Sequence, residues 1–178
     1  MYTEVLNFWF REIEPRQWWA VDPEFDARIR DRFLPVLEQA ARGKRSDWRL
    51  TPLGRLAEVI VLDQFSRNIF RNSPRAFLQD QMALDLAQEA VASGGLEQLD
   101  STHRVFLLMP YMHSESVIIH IEAEKLFKKW TPQSNYDFEL RHKSIIDRFG
   151  RYPHRNKILG RISTPEEEEF LKQPGSSF

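Results

Sequence analysis

Apolar residues recur along most of the chain at the spacing of one helix face. After Asp22-Pro23-Glu24, apolar side chains follow at intervals of four: Phe25, Ile29, Phe33 and Leu37. Asp22 is a favoured N-cap, proline is favoured at the first helical position, and Gly43 suits the end of a helix. The pattern therefore predicts an amphipathic helix between Asp22 and Gly43.

The next two predicted helices also begin at a hydroxyl residue followed by proline. The helix after Thr51-Pro52 is apolar over a wide face, which is typical of a buried central helix. The helix after Ser73-Pro74 should end near Gly94-Gly95. Both starts combine an N-cap side chain with a proline in the first turn.

A break is predicted in the middle of the second half of the chain. A helix from Ser101 to Met109 should end at Pro110, because proline interrupts helical hydrogen bonding. Ser114 is then the predicted cap of a helix that runs to Trp130. Residues 135–149 form a further predicted helix, with His142 on an apolar face where a hydrogen-bonded core residue is expected.

The last predicted helix follows Thr164-Pro165 and carries acids in its first turn, where they favour the helix dipole. No alternating run of strand length stands out. The chain is therefore predicted to be all-α, with seven or eight helices packed as antiparallel hairpins in one domain over residues 1–178.

Composition limits the classes of function. The 25 basic and 26 acidic residues give a net charge of −1, which argues against a nucleic-acid partner. The absence of cysteine excludes thiol nucleophiles and thiolate metal sites. The start lacks the pattern of a signal peptide, and no apolar run is long enough to span a bilayer, so a cytoplasmic protein without a membrane partner is expected. Nothing in the pattern indicates an oligomeric state.

The first segment with candidate chemistry is Leu62–Arg71. On a helix Asp63, Arg67 and Arg71 share a face, and Gln64 and Asn68 lie beside it. One interpretation is an Asp63–Arg67 pair that ties the helix to a neighbour. The other is a pair of arginines facing a carboxylate or phosphate, which the guanidinium group binds in a bidentate manner.

The second segment is Met109–Ser116. His113 is predicted to lie at a helix entrance, where backbone N–H groups favour an anion. Its imidazole would serve there as an acid or a base, because its pKa lies near neutrality. The alternative makes His113 a hydrogen bonder of the capping region and Glu115 an acid of the first helical turn.

The third segment is a loop by composition, Phe149–Asn156. It is dense in polar side chains, namely Arg151, His154, Arg155 and Asn156. Polar residues that rigid helices hold on a loop are common in binding sites. The alternative is that the two arginines bond the last carbonyls of neighbouring helices. Of the three segments, this one is the strongest candidate to face a ligand.

Several familiar chemistries have no counterpart in the sequence. There is no zinc-binding His-Glu-x-x-His helix, phosphate loop, dinucleotide glycine pattern or Gly-x-Ser-x-Gly elbow. No local spacing supports a metal site, so neither a metal nor a cofactor is predicted. His120 lies among isoleucines and has a weak claim to function.

These segments together resemble the bacterial domain of unknown function 924 family. The resemblance lies in Leu-Asp-Gln-Phe-Ser-Arg-Asn-Ile-Phe-Arg (62–71), Tyr-Met-His-Ser-Glu (111–115), Phe-Gly-Arg-Tyr-Pro-His-Arg-Asn (149–156) and Leu-Gly-Arg-Ile-Ser-Thr-Pro-Glu-Glu (159–167). It implies an all-α fold of tetratricopeptide-like hairpins and no activity. The chain departs from the pattern at Ser66, often proline in the family, and at the apolar stretch after Ser116.

Two functions from different classes follow. The leading hypothesis is a pocket for a small anionic ligand, in which His113 or His154 transfers a proton. Its predicted ligand-binding residues, all of which match the family pattern, are Asp63, Arg67, Asn68, Arg71, Glu115, Arg151, Arg155 and Asn156. The competing hypothesis is a helical-hairpin scaffold that binds a partner protein, in which these residues are structural.

Overall fold

The computed structural model describes residues 2–177, and every regular element in that part of the chain is helical. The α-helices in chain order are α1 (Tyr2–Asn7), α2 (Pro23–Ala41), α3 (Pro52–Ile60), α4 (Ser66–Ile69), α5 (Asp80–Ala92), α6 (Ser101–His113), α7 (Val117–Trp130), α8 (Gln133–Phe149) and α9 (Pro165–Leu171). The π-helical segments are Phe8–Glu12 and Val61–Phe65. The all-α fold predicted from the pattern is confirmed. The structure is compatible with tetratricopeptide-like stacking, which stays a prediction.

The helix starts predicted at Asp22, Thr51 and Thr164 have the expected capping hydrogen bonds. Asp22 accepts hydrogen bonds from the backbone N–H groups of residues 24 and 25 at the start of α2. Thr51 accepts one from Gly54 N at the start of α3. Thr164 and Glu167 form a reciprocal capping box at α9. Because these contacts join residues two or three apart, the local sequence was enough to predict them.

The predicted break at Pro110 is wrong. Helix α6 continues through Pro110 and ends at His113, while α7 begins only at Val117 with Ser116 at its N-cap position. His113 therefore closes a helix rather than opening one, and Ser114 lies in the connection. Packing overrides the cost of the proline here, since Pro110 and its neighbours from Val105 to Met112 are buried.

Two other helix boundaries also differ from the prediction. Ser73-Pro74 opens a short 3₁₀ turn, Pro74–Phe77, and α5 starts only at Asp80. Helix α8 begins at Gln133, two residues earlier than expected. The first shift matters most, because it places Asp80 at a helix start beside the residues discussed below.

One large apolar core and one small one hold the helices together. The large core is centred on α3 and the following π-helical segment, where Leu56, Ile60, Leu62 and Phe65 are fully buried. The small core joins Ile145 and Ile146 of α8 to Tyr152. In the described part of the chain, no helix has the length and apolar character required to cross a membrane.

Candidate functional site

An open cleft of about 360 Å³ lies at the C-terminal end of α6. It is bounded by the segment around the start of α5 and by the stretch that follows α8. Its apolar lining consists of Pro74, Phe77, Leu78, Leu84, Pro110 and Leu159. Its polar lining consists of Asp80, Gln81, His113, Ser114, Glu115 and Arg155. The second and third segments singled out in the sequence therefore meet at one place.

His113 is held in this cleft by a buried carboxylate of the first segment. Its Nδ1 lies 2.7 Å from Oδ1 of Asp63, which is only 1% exposed. Oδ2 of Asp63 accepts a hydrogen bond of 2.6 Å from Gln64. An ionised carboxylate only accepts hydrogen bonds, so the proton of the pair lies on Nδ1. The other ring nitrogen, Nε2, has no hydrogen bond to residues 2–177, and His113 is one of the residues that line the cleft.

The surroundings favour an ionised Asp63 and a neutral His113. Burial alone raises the pKa of Asp63, but Arg67 and His113 outweigh it, and the net pKa lies below its ordinary value. Burial, aided by Arg67, lowers the pKa of His113. A neutral imidazole with its proton on Nδ1 has a free electron pair on Nε2, which suits a general base.

The π-helical segment Val61–Phe65 brings Asp63 to this position. Such segments are rare, and they occur frequently at functional sites. Asp63 and the adjacent Gln64 are both buried, and both take part in the hydrogen bonding behind His113. Arg67 remains within 3.0 Å of Oδ1 of Asp63, so the predicted Asp63–Arg67 pair is present.

Two arginines converge on Asp80 at the edge of the cleft. Arg67 binds both oxygens of Asp80, at 2.9 and 3.0 Å. Nη1 of Arg155 approaches the same carboxylate at 3.4 Å. Asp80 was missed in the sequence because nothing near it in the chain points to a partner. It now connects the first segment to the third.

The guanidinium of Arg155 lies close to two aromatic rings. Its central carbon is 4.7 Å from the ring centre of Phe77 and 4.6 Å from that of Tyr152. Its Nε is buried and has no hydrogen-bond partner among the described residues. Arg155 is 6% exposed, so this charge is held in a nearly closed environment.

Side chains from other elements bond to the last two carbonyls of α6, at Met112 and His113, and to the next one, at Ser114. Tyr152 donates to Met112 O at 2.5 Å, and Arg155 donates to His113 O at 3.0 Å. The Nε2 of His120 lies 2.8 Å from Ser114 O. Three consecutive carbonyls are therefore fixed from outside the helix, and this fixes the backbone that carries His113.

Glu115 is the next residue after these three carbonyl groups, and its carboxylate is also held by hydrogen bonds. Arg161 binds both of its oxygens, at 2.6 and 2.9 Å, and Tyr152 N donates to Oε1 at 2.8 Å. Burial alone raises the pKa of Glu115, but Arg161 and the backbone bond from Tyr152 outweigh it and lower the net pKa. Glu115 is therefore an ionised group that anchors the segment after α8, and Arg161 is a partner that the sequence analysis did not predict.

A second histidine–carboxylate pair lies beneath the cleft. The Nδ1 of His120 is 2.7 Å from Oε1 of Glu139, and both side chains are 0% exposed. Burial raises the pKa of Glu139. Its Oε2 is buried without a hydrogen bond to residues 2–177. The sequence does not predict this pair, because the neighbours of His120 in the chain are apolar and Glu139 belongs to no motif.

Asn68 and Arg71 do not join the cleft. Both bind Asp26 of α2, Asn68 at 2.8 Å and Arg71 at 2.5 and 2.8 Å. The expectation that Arg71 shares a face with Asp63 fails for a simple reason. Helix α4 ends at Ile69, so the helical spacing no longer applies at Arg71. The two residues tie α4 to α2.

Arg151 and Asn156 lie outside the cleft lining as well. Arg151 binds both oxygens of Glu167, at 2.6 and 2.8 Å, and also Ile162 O. Asn156 donates to Glu167 at 3.2 Å. The hydrogen bonds from Arg151, from the backbone of Thr164 and from Asn156 together lower the pKa of Glu167 to about 2. These contacts attach the start of α9 to the segment after α8.

Replacing Arg151 with alanine is expected to loosen the C-terminal segment and to leave the cleft intact. The change removes the partner that holds Glu167 against Thr164 at the α9 capping box. Limited proteolysis should show faster cleavage after residue 160. Arg148→Ala, which removes the exposed pair with Glu166, is the matched control and should change little. Equal cleavage of the two variants would contradict this role.

His154 and His142 are placed near the cleft without lining it. His154 lies on the 3₁₀ turn Pro153–Arg155, with its ring 5.6 Å from that of Tyr152. Burial, with Arg155, lowers the pKa of His154 to about 4. His142 is buried beside Tyr152 and bonds Phe138 O at 2.8 Å, and burial lowers its pKa to about 3. A catalytic role for His154 stays a prediction.

The chemistry available at the cleft is acid–base chemistry and hydrogen bonding. Over residues 2–177, no group of three or more His, Asp or Glu side chains is arranged to hold a metal ion. The predicted site residues that do meet are Asp63, Arg67, His113, Glu115 and Arg155.

Comparison with known proteins agrees with the motifs. The sequence matches the family model described as a bacterial protein of unknown function, DUF924, over residues 5–175. The structure is similar to that of a protein of unknown function from Agrobacterium tumefaciens. The TM-score is 0.91, the sequence identity is 32%, and the similarity covers 96% of each chain. No curated protein matches the sequence.

Proposed function

We propose that this chain, which belongs to the DUF924 family of bacterial proteins of unknown function, binds a small molecule in the cleft at the end of α6. We further propose that His113 accepts a proton there. The observation that carries the proposal is the contact of 2.7 Å between His113 and the buried Asp63. It fixes the orientation of an imidazole whose free nitrogen is left for the cleft.

The proposed chemistry is general-base catalysis on a hydroxyl group or a water molecule. Asp63 holds the Nδ1–H tautomer of His113 and stabilises the positive ring that forms when Nε2 takes a proton. Arg67 keeps Asp63 ionised and is itself paired with Asp80. Ser114 lines the cleft, but its Oγ accepts a hydrogen bond from Ser116 N, and no contact to His113 activates it. We therefore assign no nucleophile to the protein.

An anionic ligand was the finer expectation from the sequence, and it stays a prediction that fewer arginines support. Arg71 and Arg151 make their ion pairs elsewhere, with Asp26 and Glu167. Of the four predicted arginines, Arg155 is the one that lines the cleft, and its Nε is buried. One lining arginine, already paired with Asp80, does not favour a carboxylate or a phosphate over a neutral ligand.

The base proposal predicts the protonation state of His113 directly. At pH 7 its ring should be neutral and carry its proton on Nδ1, because Asp63 accepts that hydrogen bond and burial disfavours the charged form. Long-range proton–nitrogen correlation spectra distinguish the two neutral tautomers and the imidazolium. The signal is assigned by its loss in His113→Gln, with His103→Gln as a control on the same helix. An Nε2–H tautomer or a charged ring at pH 7 would contradict the proposal.

Ligand binding is tested by thermal-shift screening of the purified chain against small carboxylates, phosphates and neutral metabolites. A molecule that binds the folded state raises the melting temperature by mass action. A ligand of the cleft should lose this effect in Arg155→Ala and keep it in Arg71→Ala, in which a different ion pair is removed. A ligand whose effect survives Arg155→Ala binds elsewhere.

The alternative function, binding of a partner protein, is favoured by one observation. Val117, Ile118 and Ile121 expose apolar side chains in the first half of α7, and Ile118 is 77% exposed. None of the three lines the cleft. A partner that covers them would leave the ring signals of His113 unchanged, whereas a ligand of the cleft would shift them.

A further inference from the structure

We infer that the ligand of the cleft has an apolar body and an uncharged polar head, a conclusion that rests on the proposed function and specifies its ligand. The apolar part of the lining comes from four different segments, one of which is α5 with Leu84. Phe77 and Leu78 belong to the segment before α5, Pro110 to α6, and Leu159 to the stretch after α8. A compact ion would gain nothing from apolar side chains. A ligand with an apolar part is stabilised by them, because its apolar surface is removed from water.

The charges around the cleft are already matched with one another. Asp80 is paired with Arg155 and, through two hydrogen bonds, with Arg67. Glu115 is paired with Arg161 through both of its oxygens.

Asp63 completes the set of charges, since it is paired with Arg67 and bonded to the neutral His113. The acids Asp63, Asp80 and Glu115 are therefore balanced by the arginines Arg67, Arg155 and Arg161. The sum of the formal charges is zero in a region that is largely shielded from water.

A charged head group would disturb this balance. A carboxylate would have to compete with Asp80 for its arginines, and an ammonium group would have to compete with Arg155 for Asp80. Either way the half-buried set, whose formal charges sum to zero, would carry one charge that is not compensated, which is costly. A neutral head that donates hydrogen bonds can bond to these groups without breaking a pair. A primary amide has two N–H groups, one for Nε2 of His113 and one for a remaining lone pair of Asp80, whereas an alcohol can donate to one of the two.

The decisive probes share one skeleton and differ in charge: phenylacetamide, phenylacetate and 2-phenylethylammonium. The amide and the carboxylate have nearly the same shape, so charge is the main difference between them. Binding is followed by NMR on protein labelled at the leucine methyl groups and the histidine rings. We expect phenylacetamide to shift the signals of Leu84, Leu159 and His113, and to bind at least about tenfold more tightly than either charged probe.

A pair of exposed leucines gives a matched control for the apolar part of the cleft. Leu78 lines the cleft and is 67% exposed, whereas Leu50 is 86% exposed and lies outside it. Both positions tolerate a polar residue, since neither side chain belongs to the core. Leu78→Asn is expected to weaken phenylacetamide binding by about three- to tenfold, and Leu50→Asn should leave it unchanged.

Tighter binding of phenylacetate or of 2-phenylethylammonium overturns the uncharged head but keeps a small-molecule site at the cleft. Equal binding to the Leu78 and Leu50 variants overturns the apolar body. Failure of all three probes to shift the signals overturns the inference as a whole. The tautomer of His113 then decides separately whether the proposal of a general base survives.

Discussion

Replacing Asp63 with alanine is expected to lower the free energy of unfolding by about 3–5 kcal/mol, which is typical when one partner of a buried ion pair is removed. The carboxylate is 1% exposed and bonds His113, Arg67 and Gln64. Without it, the Arg67 guanidinium loses a charge partner, and the imidazole of His113 loses the group that orients it. Urea unfolding followed by circular dichroism measures the difference.

The matched control for this change is Asp85→Ala. Asp85 lies on α5, and its hydrogen bond to Gln81 is exposed. Its loss should therefore change the free energy of unfolding by no more than about 0.5 kcal/mol. If Asp63→Ala were as mild as the control, then Asp63 would not hold the arrangement around His113 in solution.

The same carboxylate gives the stability of the protein a defined dependence on pH. The pKa of Asp63 in the folded state lies below its ordinary value of 3.8. The unfolded chain therefore takes up the proton first, so the contribution of Asp63 is complete above pH 3.8 and is lost as the pH falls through the folded-state pKa. The wild-type protein should lose stability in acid more steeply than Asp63→Asn.

The second large effect is expected at Glu139, where two substitutions should differ in their cost in unfolding free energy. Glu139→Ala is expected to cost about 2–4 kcal/mol of unfolding free energy, since it opens a cavity and leaves a buried histidine donor or acceptor unsatisfied. Glu139→Gln should cost less than about 1 kcal/mol. The reason lies in where the proton of the His120–Glu139 pair is held.

The hydrogen-bond directions around His120 require a proton between the two groups. Its Nε2 faces the carbonyl of Ser114 and must donate. The short contact from Nδ1 to Glu139 therefore needs a second proton, on the ring or on the acid. Since Oε2 of Glu139 is buried without a partner among the residues described, and burial raises its pKa, we place the proton on the acid.

A glutamine amide has the shape of a protonated glutamate and donates the same hydrogen bond to Nδ1 of His120. The comparison therefore tests the protonation state as well as the packing. If Glu139→Gln destabilises the protein as much as Glu139→Ala does, the pair is an imidazolium with a carboxylate. In the wild type, the contribution of Glu139 should be complete below its ordinary pKa of 4.5 and should be lost as the pH rises through its folded-state pKa.

The features that the sequence predicted well are those that depend on neighbours in the chain. The caps at Asp22 and Thr51 bond residues two or three positions away, so they could be read directly. The break predicted at Pro110 is wrong because the burial of the helix around it outweighs the tendency of one proline to break a helix. That error also placed His113 at the wrong end of a helix.

For the site, the sequence could predict only a set of candidate residues and not which of them contact one another. Asp63 and His113 are 50 residues apart, and Arg155 and Asp80 are 75 apart, so no spacing rule connects them. Family motifs grouped Asn68 and Arg71 with Asp63, yet they serve a different contact. Their side chains bind Asp26, an acid on the second helix that carries no motif of its own.

The π-helical segment that holds Asp63 amounts to an α-helix with one residue inserted. A segment of this kind divides a helix into two parts whose rotational phases differ, and one residue corresponds to a turn of about 100°. A deletion of one residue between 61 and 65 would restore regular helical bonding and would rotate every side chain on one side of it. The helix would gain local stability, and Asp63 and Arg67 could no longer both keep their present partners. The π-helical segment thus allows the continuous helix formed by α3, this segment and α4 to direct its apolar residues into the core and Asp63 towards His113.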